Sequence, residues 1–143
     1  MIRPALILIL LAACVGPPHE PGATPSGTIE ALSRSVRAGD FYTYYDLHTE
    51  AVFAEERTRW EKRRNGSAGD AKTFRDSFVA MMKHQLAAKP TWAAHLGHLK
   101  VLDERIDGEN AVVRVRYGKP KEDEEHDLAL VRRGGVWLIK RWD

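Results

Sequence analysis

Asp107-Gly108-Glu109-Asn110-Ala111-Val112-Val113-Arg114-Val115-Arg116-Tyr117 is the stretch on which the fold turns. Asp107-Gly108 followed by Glu109-Asn110 is a tight-turn signal, because glycine enters positive φ without steric cost. Ala111, Val113, Val115 and Tyr117 then alternate with Val112, Arg114 and Arg116, the period of two that a half-buried strand requires. Working outward, Leu99 to Ile106 reads as the strand before the turn. Glu124 to Arg132 reads as a third strand, Gly134-Gly135 as a second tight turn, and Val136 to Trp142 as the last strand. Four successive antiparallel strands make a meander. A sheet this small is stable only when another layer covers one face.

That cover lies upstream, where the period is helical. Ile29, Leu32 and Val36 recur at helical spacing, with Ser26 or Thr28 expected to cap the start and Gly39-Asp40 the end. Phe41 to Leu47 follows, with Asp40 as its N-cap. Thr49 is expected to cap a segment from Glu50 to about Arg64, on which Phe53 and Trp60 share a face. Asn65 to Gly69 breaks the chain by composition. Asp70 is then expected to cap an amphipathic helix to about Ala87, with Phe74, Phe78, Met81, Met82 and Leu86 on its apolar side and Pro90 closing it. The fold class is α+β, with N-terminal helices packed on a four-stranded antiparallel meander.

The chain has 143 residues, 43% of them hydrophobic and 29% charged, with a formal net charge of +2 and one cysteine. That composition is globular. It excludes a disulfide framework and multi-cysteine metal motifs, and its charge gives no footing for nucleic acid. At the N-terminus, Met1-Ile2-Arg3-Pro4 precedes an apolar run from Ala5 to Ala13. As a helix that run reaches roughly 14 Å, about half the ~30 Å hydrocarbon core, so it reads as a signal segment rather than a span. It ends in Leu11-Ala12-Ala13-Cys14. This resembles the lipobox of bacterial lipoproteins at all four positions. The resemblance implies a signal peptide over residues 1–13, alkylation of the Cys14 thiol, cleavage before it and acylation of the new amino group. The acyl chains would then hold the protein on the extracytoplasmic face, and Val15 in place of an aspartate points to the outer membrane. Residues 14–25 carry prolines at 17, 18, 21 and 25 and read as a tether, leaving residues 26–143 as the folded domain.

Gly39-Asp40-Phe41, the aromatic Tyr44-Tyr45-Asp46-Leu47, the turn at Asp107 to Val113 and the ending Leu130-Val131-Arg132-Arg133-Gly134-Gly135-Val136-Trp137 resemble small lipoproteins of the NTF2-like (cystatin-like) superfamily. That resemblance implies a curved sheet wrapped into a cone, with Trp137 or Trp142 plugging its core. The fold hosts binding modules, enzymes and dimers alike. The reading adopted is a binding or accessory module, with an envelope protein or a small molecule as partner. The alternative is a small cavity enzyme of isomerase or dehydratase type, with Asp46, His48 and Tyr44 as acid–base groups. Homodimerisation is a third reading.

Among individual residues, Tyr42, Tyr44, Tyr45, Trp60 and Trp92 either line a cavity or belong to the core, and core is favoured because aromatic stripes at helical spacing more often pack inward. Arg114 and Arg116 either meet an anionic ligand or pair with the acidic strand Glu124 to Asp127, and pairing is favoured because opposite charges on neighbouring strands attract. His95-x-x-His98 has a metal-ligand spacing, but the chain there is expected to enter a strand and Gly97 breaks the geometry. No cofactor and no metal is expected.

Overall fold

The computed structural model describes residues 22–64, 73–118 and 124–143. The stretch read as a signal segment, Cys14 and most of the stretch read as a tether lie outside these residues. Among those described, no helix is long and apolar enough to cross a membrane.

Helix α1 (Pro25–Ala38) starts one turn earlier than expected. Neither Ser26 nor Thr28 caps it. The Thr24 hydroxyl accepts from the Gly27 N–H at 2.9 Å, and Pro25 takes the first helical position, where a missing N–H costs nothing. Pro25 is therefore helix rather than tether, and the packed chain reaches back to Gly22, whose carbonyl accepts from the Trp137 N–H at 2.8 Å. Gly22 holds φ +84°, a conformation that favours glycine, and a Cβ there would lie 2.5 Å from the Val136 Cγ1, so a side chain would push the valine aside. Ser26 has a different use. Its N–H and hydroxyl both donate to Glu104 at 2.8 Å, which sets a carboxylate against the positive end of α1.

Gly39 ends α1 in the left-handed region, and Asp40 caps α2 (Phe41–Asp46) by accepting from the Thr43 N–H at 3.1 Å, as the sequence predicts. Thr49 caps nothing. Its hydroxyl is buried without a hydrogen bond among the described residues, because its backbone is committed elsewhere. The Thr49 N–H donates to the Ile139 carbonyl at 2.8 Å and the Ile139 N–H to the Leu47 carbonyl at 2.9 Å, a parallel bridge that runs His48 alongside the last strand. A 3₁₀ turn (Glu50–Phe53) leads into α3 (Ala54–Arg64). Helix α4 (Phe74–Ala88) is capped by Thr73, which accepts from the Asp76 N–H, while Asp70 lies outside the described residues. Pro90 does not close the helical region. It opens a further helix, α5 (Pro90–Gly97), in a stretch expected to lead into the strand at Leu99. Helix α5 packs on α1, where the Ser33 hydroxyl donates to the Leu96 carbonyl at 2.9 Å and accepts from the Leu99 N–H at 3.1 Å.

The sheet follows the predicted meander in the order β1 (Lys100–Asp107), β2 (Asn110–Arg116), β3 (Glu125–Arg133) and β4 (Val136–Trp142), all antiparallel. Ala111, Val113 and Val115 on β2, Leu128 and Leu130 on β3, and Trp137 and Ile139 on β4 are buried with Ile29, Leu32 and Val36 of α1. Trp137 is thus the tryptophan in the core. The other face of the sheet carries charge: Arg114 pairs with Asp127 at 3.0 Å and Arg116 with Glu125 at 2.9 Å, directly across β2 and β3. The edge strand β1 is largely exposed and bears Asp103, Glu104, Arg105 and Asp107, charges that keep a free edge from recruiting another strand.

Candidate functional site

The described residues enclose a cavity of about 540 Å³ between α4, α5, the α2–β4 junction and the far end of the sheet. Tyr44 and His48 form part of its floor with Phe53 and Phe78. Met81, Met82 and Gln85 come from α4, and Trp92, His95 and Leu96 from α5. Tyr117, Glu124 and Trp142 come from the sheet end, and Glu56 from α3. Six aromatic rings therefore face one space. Met81 (39% exposed) and Trp92 (48% exposed) stand at its rim, and Tyr44 (9%) and His48 (6%) at its base.

Two buried histidines hold the walls. The His48 Nδ1 lies 2.8 Å from the Tyr44 carbonyl, and its Nε2 3.1 Å from the Trp142 indole nitrogen. A carbonyl only accepts and an indole N–H only donates, so the ring must be the neutral tautomer with its proton on Nδ1. Burial agrees: it lowers the His48 pKa from 6.5 to about 4, against the opposing pull of the Tyr44 carbonyl. With both nitrogens occupied, His48 has no lone pair or proton to lend a substrate. The His95 Nδ1 lies 3.2 Å from the Gly118 carbonyl, and the Gly118 N–H donates to the His95 carbonyl at 3.2 Å. A Cβ on Gly118 would lie 2.7 Å from the Ala94 carbonyl oxygen, so the chain leaving β2 can press against α5 only as glycine.

Tyr44 is different. Its ring packs on Phe41, His48 and Phe78, but its hydroxyl has no hydrogen-bond partner among the described residues and is not sealed in the way the Thr49 hydroxyl is. Burial pushes its pKa up, so at neutral pH it offers the cavity a protonated hydroxyl. No family model matches this chain, and neither does any curated protein or solved structure at a meaningful level.

The expected trio of Asp46, His48 and Tyr44 is not assembled. Asp46 is outside the cavity, held by Arg75 in a two-point contact at 2.8 and 2.6 Å on the exposed flank of α4. Arg75 in turn lies over the Tyr42 ring at 4.5 Å. Tyr45 is core: it stacks on Phe53 with ring centroids 4.6 Å apart, and its hydroxyl donates to Glu50 beside Arg57. Trp60 braces α3 against α4, donating from its indole to the Ser77 hydroxyl at 3.0 Å and meeting the Phe74 ring edge-on. Arg114 and Arg116 stay in their cross-strand pairs, away from the cavity. His95 and His98 do not converge, since one is buried against Gly118 and the other exposed. Among the described residues, no cluster of three metal-ligating side chains occurs.

Trp92 is at the cavity, one of the two places the sequence allows it, whereas Glu56, Gln85, Glu124 and Trp142 are wall residues that the sequence does not announce. One signal was available. Phe78, Met81, Met82 and Gln85 follow helical spacing on one face of α4, and a glutamine on an apolar stripe marks where the stripe stops meeting a core.

Proposed function

We propose that the protein is a lipid-anchored cell-envelope protein of NTF2-like fold, whose domain binds a small, mainly apolar molecule. The observation that carries the binding reading is the Tyr44 hydroxyl, without a hydrogen-bond partner among the described residues, on a side chain that lines a cavity of about 540 Å³ walled by aromatic rings. That volume falls within the ~300–1,000 Å³ of small-molecule sites, which are mostly apolar with a few placed polar groups. A hydroxyl that opens on the cavity with no protein partner is a point that a ligand oxygen or nitrogen can bond to directly. The order of helices followed by a meander supports the NTF2-like reading. Leu11-Ala12-Ala13-Cys14 supports the anchor, because Cys offers the thiolate that acyl transfer needs and two or three chains suffice for stable attachment. Catalysis by Asp46 and His48 loses its support, one being paired outside the cavity and the other saturated within it.

The binding reading is tested with N-phenyl-1-naphthylamine, a neutral fluorophore whose emission rises in apolar surroundings. Saturable binding at one molecule per chain, weakened by Gln85→Trp at the exposed rim, is expected. Emission that climbs without saturation, or that Gln85→Trp leaves unchanged, overturns it. For the anchor, Cys14→Ala should move the protein out of the membrane fraction. Equal retention of variant and wild type there removes the lipoprotein reading.

A further inference from the structure

The two histidines of the cavity wall differ in what they leave over. Both ring nitrogens of His48 are taken, Nδ1 by the Tyr44 carbonyl and Nε2 by the Trp142 indole. His95 uses only one. Its Nδ1 lies 3.2 Å from the Gly118 carbonyl, and since a carbonyl only accepts, that nitrogen carries the proton. In the neutral ring Nε2 then presents a lone pair. No described residue donates to it, and it is not sealed in the way the Thr49 hydroxyl is, while the buried His95 side chain lines the cavity. The ring cannot swing to hide that lone pair without breaking its bond to Gly118, which also donates its own N–H to the His95 carbonyl. Tyr117, the residue before Gly118, links this nitrogen to Tyr44. Its ring stacks on the His95 ring with centroids 6.2 Å apart, and after burial it is the other influence that raises the Tyr44 pKa. Tyr44 and His95 thus flank one residue of the wall. One offers a hydroxyl that donates or accepts, the other a lone pair that only accepts.

We infer that the ligand is an uncharged alcohol: an apolar body among the aromatic rings, with a hydroxyl that donates to the His95 Nε2 and meets the Tyr44 hydroxyl. A hydroxyl suits both points because it donates and accepts at once. An ether, a ketone or a carboxylate only accepts, and would set its lone pairs against that of Nε2. This rests on the cavity-binding reading and goes further by fixing the polar group of the ligand. Two isomers of one formula, 1-octanol and heptyl methyl ether, are titrated against bound N-phenyl-1-naphthylamine at pH 8, where a free imidazole is neutral. Octanol should displace the fluorophore at about fivefold or more lower concentration than the ether, the worth of one hydrogen bond. Tyr44→Phe should weaken both isomers alike, because either can accept from the Tyr44 hydroxyl. His95→Phe removes the lone pair and should bring the two isomers together; where that variant does not fold, the ratio in the wild type decides alone. Equal displacement by the two isomers, stronger displacement by the ether, or no displacement by octanol overturns the alcohol and leaves cavity binding in place. If the fluorophore itself does not saturate, both are wrong.

Discussion

Around His48 the aromatic rings close on one another, whereas around Trp92 the same kinds of ring line a space. In the first region Tyr45, Phe53 and Phe78 meet at centroid distances of 4.6 to 5.4 Å, and each polar atom of the His48 ring has a partner. In the second, Trp92 is half exposed, and the Tyr44 hydroxyl between the two regions has no partner among the described residues. Burial of a titratable group is thus a poor guide to a site. His48 is the more buried and the more shifted in pKa, yet it is mortar. The group that points to a ligand is the one left with an unmet hydrogen bond.

The most severe way to break this contrast is to hollow out the closed region. Phe78→Ala removes a ring that touches Tyr44, Tyr45, Phe53 and Phe74, and should cost about 3–5 kcal/mol in urea unfolding. A loss below ~1 kcal/mol would mean that this region is as loosely packed as the cavity. Acid probes it next. The folded pKa of His48, about 4, lies below its ordinary 6.5, so across that window the unfolded chain binds a proton that the native ring does not. Stability should therefore fall as pH drops from 6.5 to 4 and lose its dependence on His48 below that, by on the order of 3 kcal/mol in all. The difference between wild type and His48→Gln, measured at each pH, isolates this contribution. A difference that does not change with pH would assign the slope to other groups.

Trp142→Phe keeps an aromatic side chain but trims the indole to a phenyl and deletes its N–H, leaving the His48 Nε2 without that donor. A cost of about 1–3 kcal/mol is expected, readable as a lower denaturation midpoint at constant m. The smallest effect should come from Tyr44→Phe. Its hydroxyl has no protein partner to lose, so stability should stay within about 0.5 kcal/mol while probe affinity changes. A large destabilisation there would show that Tyr44 belongs to the closed region after all.

The sheet was legible because its signals are local. Gly108, Gly134 and Gly135 all adopt positive φ where the turns were expected, and the alternation of Ala111, Val113 and Val115 with Val112 and Arg114 set which face is buried. The charge pairing of Arg114 with Asp127 followed from the same register. Helix α5 was missed because proline is ambiguous. Lacking an N–H, it ends one helix or begins the next equally well, and here the single residue Lys89 separates α4 from α5. The role of His48 could not be read at all, since Asp46 and Glu50 crowd it in sequence while its deciding partner, Trp142, is 94 residues away. The cavity was illegible for the same reason: its walls arrive from α2 through α5 and the far end of the sheet, and no short spacing encodes that convergence.

The docking of Gly22 also has a mechanical side. Trp137 is gripped at both backbone atoms, its N–H by the Gly22 carbonyl and its carbonyl by the Thr28 hydroxyl at 2.8 Å. Tension arriving from a membrane anchor through the chain before Gly22 would be borne by this clamp at the start of β4. Trp142 and the cavity lie five residues further along the strand, about 17 Å away. Under such tension the strand that bears the load would also carry the cavity wall at its other end, and the site would hang on the side of the domain away from Gly22.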